Sequence, residues 1–156
     1  MIEIRCDTGN VVLLPSDNLR SACLDALDLH RAILDAQDLS YSSFKGTCLR
    51  AAGLERAKLV GCNFSGAQMF GVWAVDASFV DSTLSNCVLS CANLTRANLS
   101  RCDLSGADLS QADLRGAVLS DAILVETVFS KAKFDDSTRW PAGFDPHLVG
   151  ALKVAG

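Results

Sequence analysis

A chain of 156 residues, 49% hydrophobic but only 6% aromatic, can bury the core of one domain, and that core has to be built from Leu, Val and Ala. The formal net charge of −4 excludes a basic footprint for nucleic acid. No apolar run approaches the ~18–20 residues that span a bilayer, so no membrane partner is expected.

The amino-terminal segment, MIEIRC-DTGN-VVLL, alternates, turns and alternates again. Residues 1–16 are therefore predicted to form a β-hairpin cap. An acid at the third residue and the lack of a continuous apolar stretch argue against a secretory leader, and the expected compartment is the cytoplasm.

From Leu19 to Phe134 every fifth residue is Leu, Phe or Met, at 23 of 24 positions and without an insertion; Ala74 is the exception. Two residues before each centre stands a small side chain, as at Ala92, Ala97, Cys102, Ala107 and Ala112, with Leu27, Gln37 and Val72 departing. An α-helix would smear a five-residue period around its surface, since five residues turn ~500°. A straight strand would throw successive centres to opposite faces. The pattern works if the chain turns one right-angled corner per repeat, always in the same sense. Four corners close a square coil of twenty residues, and residues 17–136 then stack as about six coils.

If so, residues twenty apart are vertical neighbours, and the outward charges test it. Arg56, Asp76 and Arg96 alternate in sign, as do Asp81, Arg101 and Asp121. Asp25 lies below Lys45, Asp38 below Lys58, Asp113 below Lys133 and Arg115 below Asp135, leaving Asp35 and Glu55 as a like-charged pair.

The stretch Phe70-Gly71-Val72-Trp73-Ala74-Val75 breaks the repeat. An unfilled Leu-to-Ala gap costs ~2–5 kcal/mol. The packing expectation is therefore that Trp73 or Phe70 turns inward, or that a bulge re-aims the chain. The alternative leaves Val60, Phe70, Trp73, Val75 and Val80 as an exposed apolar patch, suited to a protein partner.

After Phe134 the period stops, and residues 137–156 are expected to form a second cap. Trp140 and Phe144 would plug the last coil. Asp145 reads as the N-cap, and Pro146 as the first residue, of a short helix carrying Leu148, Val149 and Leu152.

No catalytic constellation emerges. Neither His30 nor His147 has an acid and a nucleophile placed beside it by the repeat. Serines after the centres, such as Ser40, Ser65 and Ser100, are expected to hydrogen-bond local backbone at the corners. Asp103, Asp108 and Asp113 project from successive sides and cannot converge on a metal or substrate. The seven cysteines, odd in number and without a C-x-x-C pair, read as reduced thiols, several of them buried. Catalytic residues, cofactors and metals are not expected, nor is an enzyme.

The run ANLTR, ANLSR, CDLSG, ADLSQ and ADLRG, from Ala92 to Gly116, resembles the pentapeptide-repeat family, A(D/N)LXX. The resemblance implies an all-β, right-handed quadrilateral β-helix, its core filled by the centres and the small residues before them. It implies no specific activity. The favoured function is a non-catalytic structural or interaction module with a protein partner, without direct nucleic-acid contact, and with homodimerisation through a cap as a further option. The alternative is a DNA mimic that binds DNA gyrase and protects it from quinolones, as some family members do; that role needs a continuous acidic surface.

Overall fold

The computed structural model describes residues 1–156. Its logic starts at the corners. The carbonyl of most centres accepts the N–H three residues on, as in Ala52 to Leu49 at 3.0 Å and Ala97 to Leu94 at 2.9 Å. The residue two after each centre lies in the left-handed region at all 23 corners from Ser21 to Lys131, six of which are glycine. A β-turn with a left-handed third residue therefore recurs every five residues. The seventeen other corners accept a backbone conformation that costs L-residues roughly 1–2 kcal/mol.

Between corners the backbone polar groups point along the column. Leu94 N–H donates to Asp113 O at 2.9 Å, Asn93 N–H to Val72 O at 2.9 Å and Arg96 N–H to Arg115 O at 2.9 Å. Parallel bridges join residues twenty apart, from Cys23↔Ser43 to Asp113↔Lys133, and fall into four ladders offset by five residues. The result is a four-sided repeat β-helix.

Forty-two buried residues form one core cluster. The centres fill its middle, and Phe44 stacks on Phe64 with ring centroids 4.6 Å apart. The residues two before the centres lie against the wall. When they are Ser, Thr or Cys, they donate to the carbonyl of a centre in the coil below: Ser42 to Leu19 at 2.7 Å, Ser82 to Leu59 at 2.6 Å, Cys87 to Phe64 at 2.8 Å and Cys102 to Phe79 at 2.9 Å. That position needs a small side chain and rewards a hydroxyl or thiol. Ala, Ser, Thr and Cys interchange there for this reason.

At the amino end, β1 (Ile2–Arg5) and β2 (Val11–Leu14) pair antiparallel, as the alternation anticipates. Ile33 N–H then donates to Arg5 O at 2.8 Å, and Asp7 N–H to Arg31 O at 3.0 Å, so the hairpin is bonded to the first full coil.

At the other end one extra residue slips the register. Val118 bridges Arg139, twenty-one residues on, which sets Trp140 above Leu119. The Trp140 ring centroid lies 5.5 Å from that of Phe129, 5.7 Å from that of Phe134 and 5.2 Å from that of Phe144. Asp145 caps a helix and accepts the His147 N–H at 2.9 Å. The expected helix is nevertheless shorter than its apolar residues suggest. It is a 3-10 turn, Pro146–Val149, stopped by left-handed Gly150 at φ 80°. Leu148 is 85% exposed, and Leu152 belongs to β4 (Leu152–Lys153), which pairs parallel with β3 (Lys133–Phe134).

Candidate interaction surface

The waist of the column corrects the packing expectation. Val72 and Ala74 are fully buried, whereas Trp73 between them is 54% exposed and Phe70 at the preceding corner is 45% exposed. Neither aromatic turns inward and no bulge forms: the Gly53↔Trp73↔Asn93 ladder passes through without interruption. Strand alternation explains the direction, because residues flanking an inward centre must face out. Composition explains the packing. Ala74 lacks three carbon atoms relative to Leu, and Val72 brings two more than the Ala found at most positions of its kind.

Phe70, Trp73 and Val75 thus share one side of the column and its two corners. Gly53, directly below Trp73, has no side chain to cover the indole; a Cβ there would sit 2.8 Å from the Asp35 carboxylate oxygens. The Arg50 guanidinium stands 6.0 Å from the Phe70 ring centroid, within cation–π range. Val60 and Val80 are half-buried and stack in a corner ladder one side further round. Beside them lies Tyr41, 59% exposed, a residue that the sequence reasoning passed over. Its ring lies where a Cβ on Gly61 would come within 2.8 Å, and Arg20 sits 5.4 Å from its centroid. The signal was present in the sequence as a glycine twenty residues after an outward tyrosine.

The charge ladders are partly as expected. Arg96 grips Asp76 with two bonds of 2.7 Å, and Arg101 grips Asp81 at 2.6 and 2.9 Å. Those guanidiniums hold both carboxyls below the usual range. Other pairs do not follow the twenty-residue spacing. Arg115 takes Asp113, two residues before it, rather than Asp135, and Asp38 takes Arg20 rather than Lys58. Arg56 lies closest to Glu55, at 3.4 Å. The like-charged pair is resolved by the backbone: Asp35 accepts the Glu55 N–H at 2.8 Å, just as Asp25 accepts that of Lys45 at 2.9 Å.

The serines after the centres behave differently from expectation. Ser40, Ser65 and Ser100 donate their hydroxyls to the Asp38, Asn63 and Asn98 side chains at 2.6–2.7 Å, and the same oxygens accept the serine N–H. Asp or Asn before the centre and Ser or Thr after it therefore form one local unit. Asp103, Asp108 and Asp113 lie on three separate ladders, each bonded to its own corner. All seven cysteines are free. Cys23 and Cys91 are exposed, whereas burial pushes the thiols of Cys62 up to about 11 and those of Cys87 and Cys102 to about 12. Such thiols stay protonated and serve as buried donors rather than nucleophiles.

Residues 77–116 and 102–138 match the family description "Pentapeptide repeats (8 copies)". No curated protein matches the sequence. Among solved structures, the chain is similar to a pentapeptide repeat protein, alr5209, from Nostoc PCC 7120, at 29% identity over 72% of this chain and 84% of that one, with a TM-score of 0.37. It is also similar to the pentapeptide repeat protein Rfr23 from Cyanothece 51142, at 24% identity over 77% and 88% of the two chains, with a TM-score of 0.36. A third is QnrB1, a plasmid-mediated fluoroquinolone resistance protein, at 13% identity over 86% and 90%, with a TM-score of 0.44.

Proposed function

We propose that this chain, a member of the pentapeptide-repeat family, acts as a non-catalytic interaction module that docks a protein partner on its waist. We read the column as right-handed, of about six coils over residues 17–136, with the hairpin of residues 1–16 and the segment 137–156 as its caps. The outward placement of Trp73 and Phe70 on a rigid side carries the functional reading. Exposed aromatics beside an arginine are what protein interfaces use as energetic anchors. A hydrogen-bonded column holds them with little ordering left to do at docking.

Val60, Val75 and Val80 extend the surface and Tyr41 widens it. The cytoplasm is the compartment we assign; no helix of the protein is long and apolar enough to cross a membrane. Direct nucleic-acid contact is not part of this reading. The gyrase-directed DNA mimic is less well supported, since Arg96 and Arg101 neutralise two of the outward acids a mimic would need. Homodimerisation through a cap is compatible with the waist being free for a partner.

The test is affinity capture with the wild type and with a Trp73→Ala/Phe70→Ala double variant. Both side chains are outward, so the variant is expected to fold unchanged by circular dichroism. Loss of two anchors, at about 2 kcal/mol each, should deplete the captured partner by a factor on the order of several hundred. An identical set of captured proteins from both baits would contradict the assignment.

A further inference from the structure

Two of the four ladders continue past the last repeats, through Val118↔Arg139 and Lys133↔Leu152, while those that reach Ile123 and Val128 stop there. In the rung below, Leu104 N–H donates to Ile123 O, Gly106 N–H to Val125 O, and Ile123 N–H to Cys102 O. One rung higher, the equivalent groups are the Leu124 and Glu126 N–H donors and the Ala122 carbonyl. None of them has a partner in the chain. Above this edge runs an open groove of about 320 Å³, floored by Ala122, Leu124 and Val125 and walled by Pro141 to Phe144. Val125 is 62% exposed, and Ile123, on the same last rung, is 51% exposed. Elsewhere along the column an inward centre occupies the corresponding space.

We propose that this edge receives an extended peptide segment of a partner protein, added as the missing rung. Continuing the ladder defines its register. One residue stacks on Ile123, with its N–H donated to Ala122 O and its carbonyl accepting the Leu124 N–H. The next residue points down over Leu124 and must be a large apolar side chain. The carbonyl of the residue after that accepts the Glu126 N–H. A groove of 320 Å³ accommodates such a side chain, given that ~150 Å³ suffices for benzene. Charge selects among occupants. Asp121, Glu126 and Asp145 each adjoin a lining residue in sequence, and none forms an ion pair. The segment is therefore flanked by Lys or Arg. A second copy of this chain would set the same acids against one another, and fits less well.

The probe is the peptide acetyl-Lys-Thr-Leu-Thr-Lys-amide, titrated into ¹⁵N-labelled protein while amide hydrogen exchange is followed by NMR. In the free protein the Leu124 and Glu126 amides are expected to exchange without protection. Saturating peptide should slow both by about tenfold or more and leave Leu104 unchanged. Methylating the nitrogen of the first threonine, or exchanging both lysines for aspartate, should abolish the effect. So should the Val125→Lys variant, whose change lies at an exposed position. The proposal fails if those amides are already protected in the free protein, if the peptide does not bind, or if the methylated or acidic peptide binds equally well. It also fails if light scattering finds a dimer that Val125→Lys dissociates, because a second copy would then be the occupant.

Discussion

Between pH 9 and 12 the protein is expected to lose stability steeply, and replacing three buried thiols should remove most of that loss. Cys62, Cys87 and Cys102 are at most 2% exposed, and burial raises their pKa to about 11, 12 and 12. An unfolded cysteine titrates near ~8.5. For a group whose folded pKa is raised, the stabilising contribution is complete below the unfolded pKa. It disappears as the pH rises through the folded one, because only the unfolded chain can release the proton. Each thiol then accounts for on the order of 3–4 kcal/mol by the time the pH reaches its folded pKa. The test is denaturant unfolding at pH 7 and pH 11 of the wild type and of a Cys62→Ala/Cys87→Ala/Cys102→Ala variant. Alanine is the commonest native residue at these positions, as at Ala92, Ala97 and Ala107, so the variant should fold. At pH 7 it should be the less stable protein, having lost three S–H···O bonds. At pH 11 the order should reverse. The two proteins are otherwise identical, so the comparison isolates the three thiols. Parallel stability curves would show that the thiols are not held in a dry core.

Leu94→Ala should be among the costliest single truncations in the column, at about 4–5 kcal/mol. Leu94 stacks over Ala74, which is already small, and the rung of Leu94 holds Ala92 where the rung of Ala74 holds Val72. Truncation leaves two adjacent alanine rungs at 74 and 94, with only one valine to fill them. The resulting void is larger than that from Leu104→Ala, whose ladder neighbours are Leu84 and Leu124. Residual cavity volume sets the difference between such substitutions, and the 94 variant should be worse by about 1 kcal/mol. Urea unfolding of the two variants side by side measures this. Equal midpoints would mean that the waist repacks, and that Val72 does not compensate for Ala74.

Much of the architecture could be read in the residues because one geometric rule generates it. The five-residue spacing of the centres and the alternating signs of Asp76/Arg96 and Asp81/Arg101 both encode the same twenty-residue coil. What misled was competition between local and vertical partners. Arg115 reaches Asp113 two residues back because both emerge around one corner, and spacing by twenty cannot anticipate that. The outward orientation of Trp73, the alternative to inward packing, was legible. It holds the place before a centre that Asn93 and Asn98 hold elsewhere, and the place, not the hydrophobicity, determines its direction. Left-handed corners were signalled by Gly46, Gly61, Gly66, Gly71, Gly106 and Gly116, all two residues after a centre. The open edge at Leu124 was hidden, because it depends on where the register slips near residue 138.

Vertical stacking of residues twenty apart is tested most directly by paired cysteines. In a background with Cys23, Cys48 and Cys91 replaced by serine, Thr83→Cys combined with Asp103→Cys places two thiols on facing outward positions of one bridge. Neighbouring strands lie ~4.8 Å apart, within disulfide reach. Mild oxidation should join this pair, read as a mass loss of about two hydrogens, and should leave Thr83→Cys with Asp108→Cys unjoined. Joining of the second pair in preference to the first would contradict the twenty-residue coil.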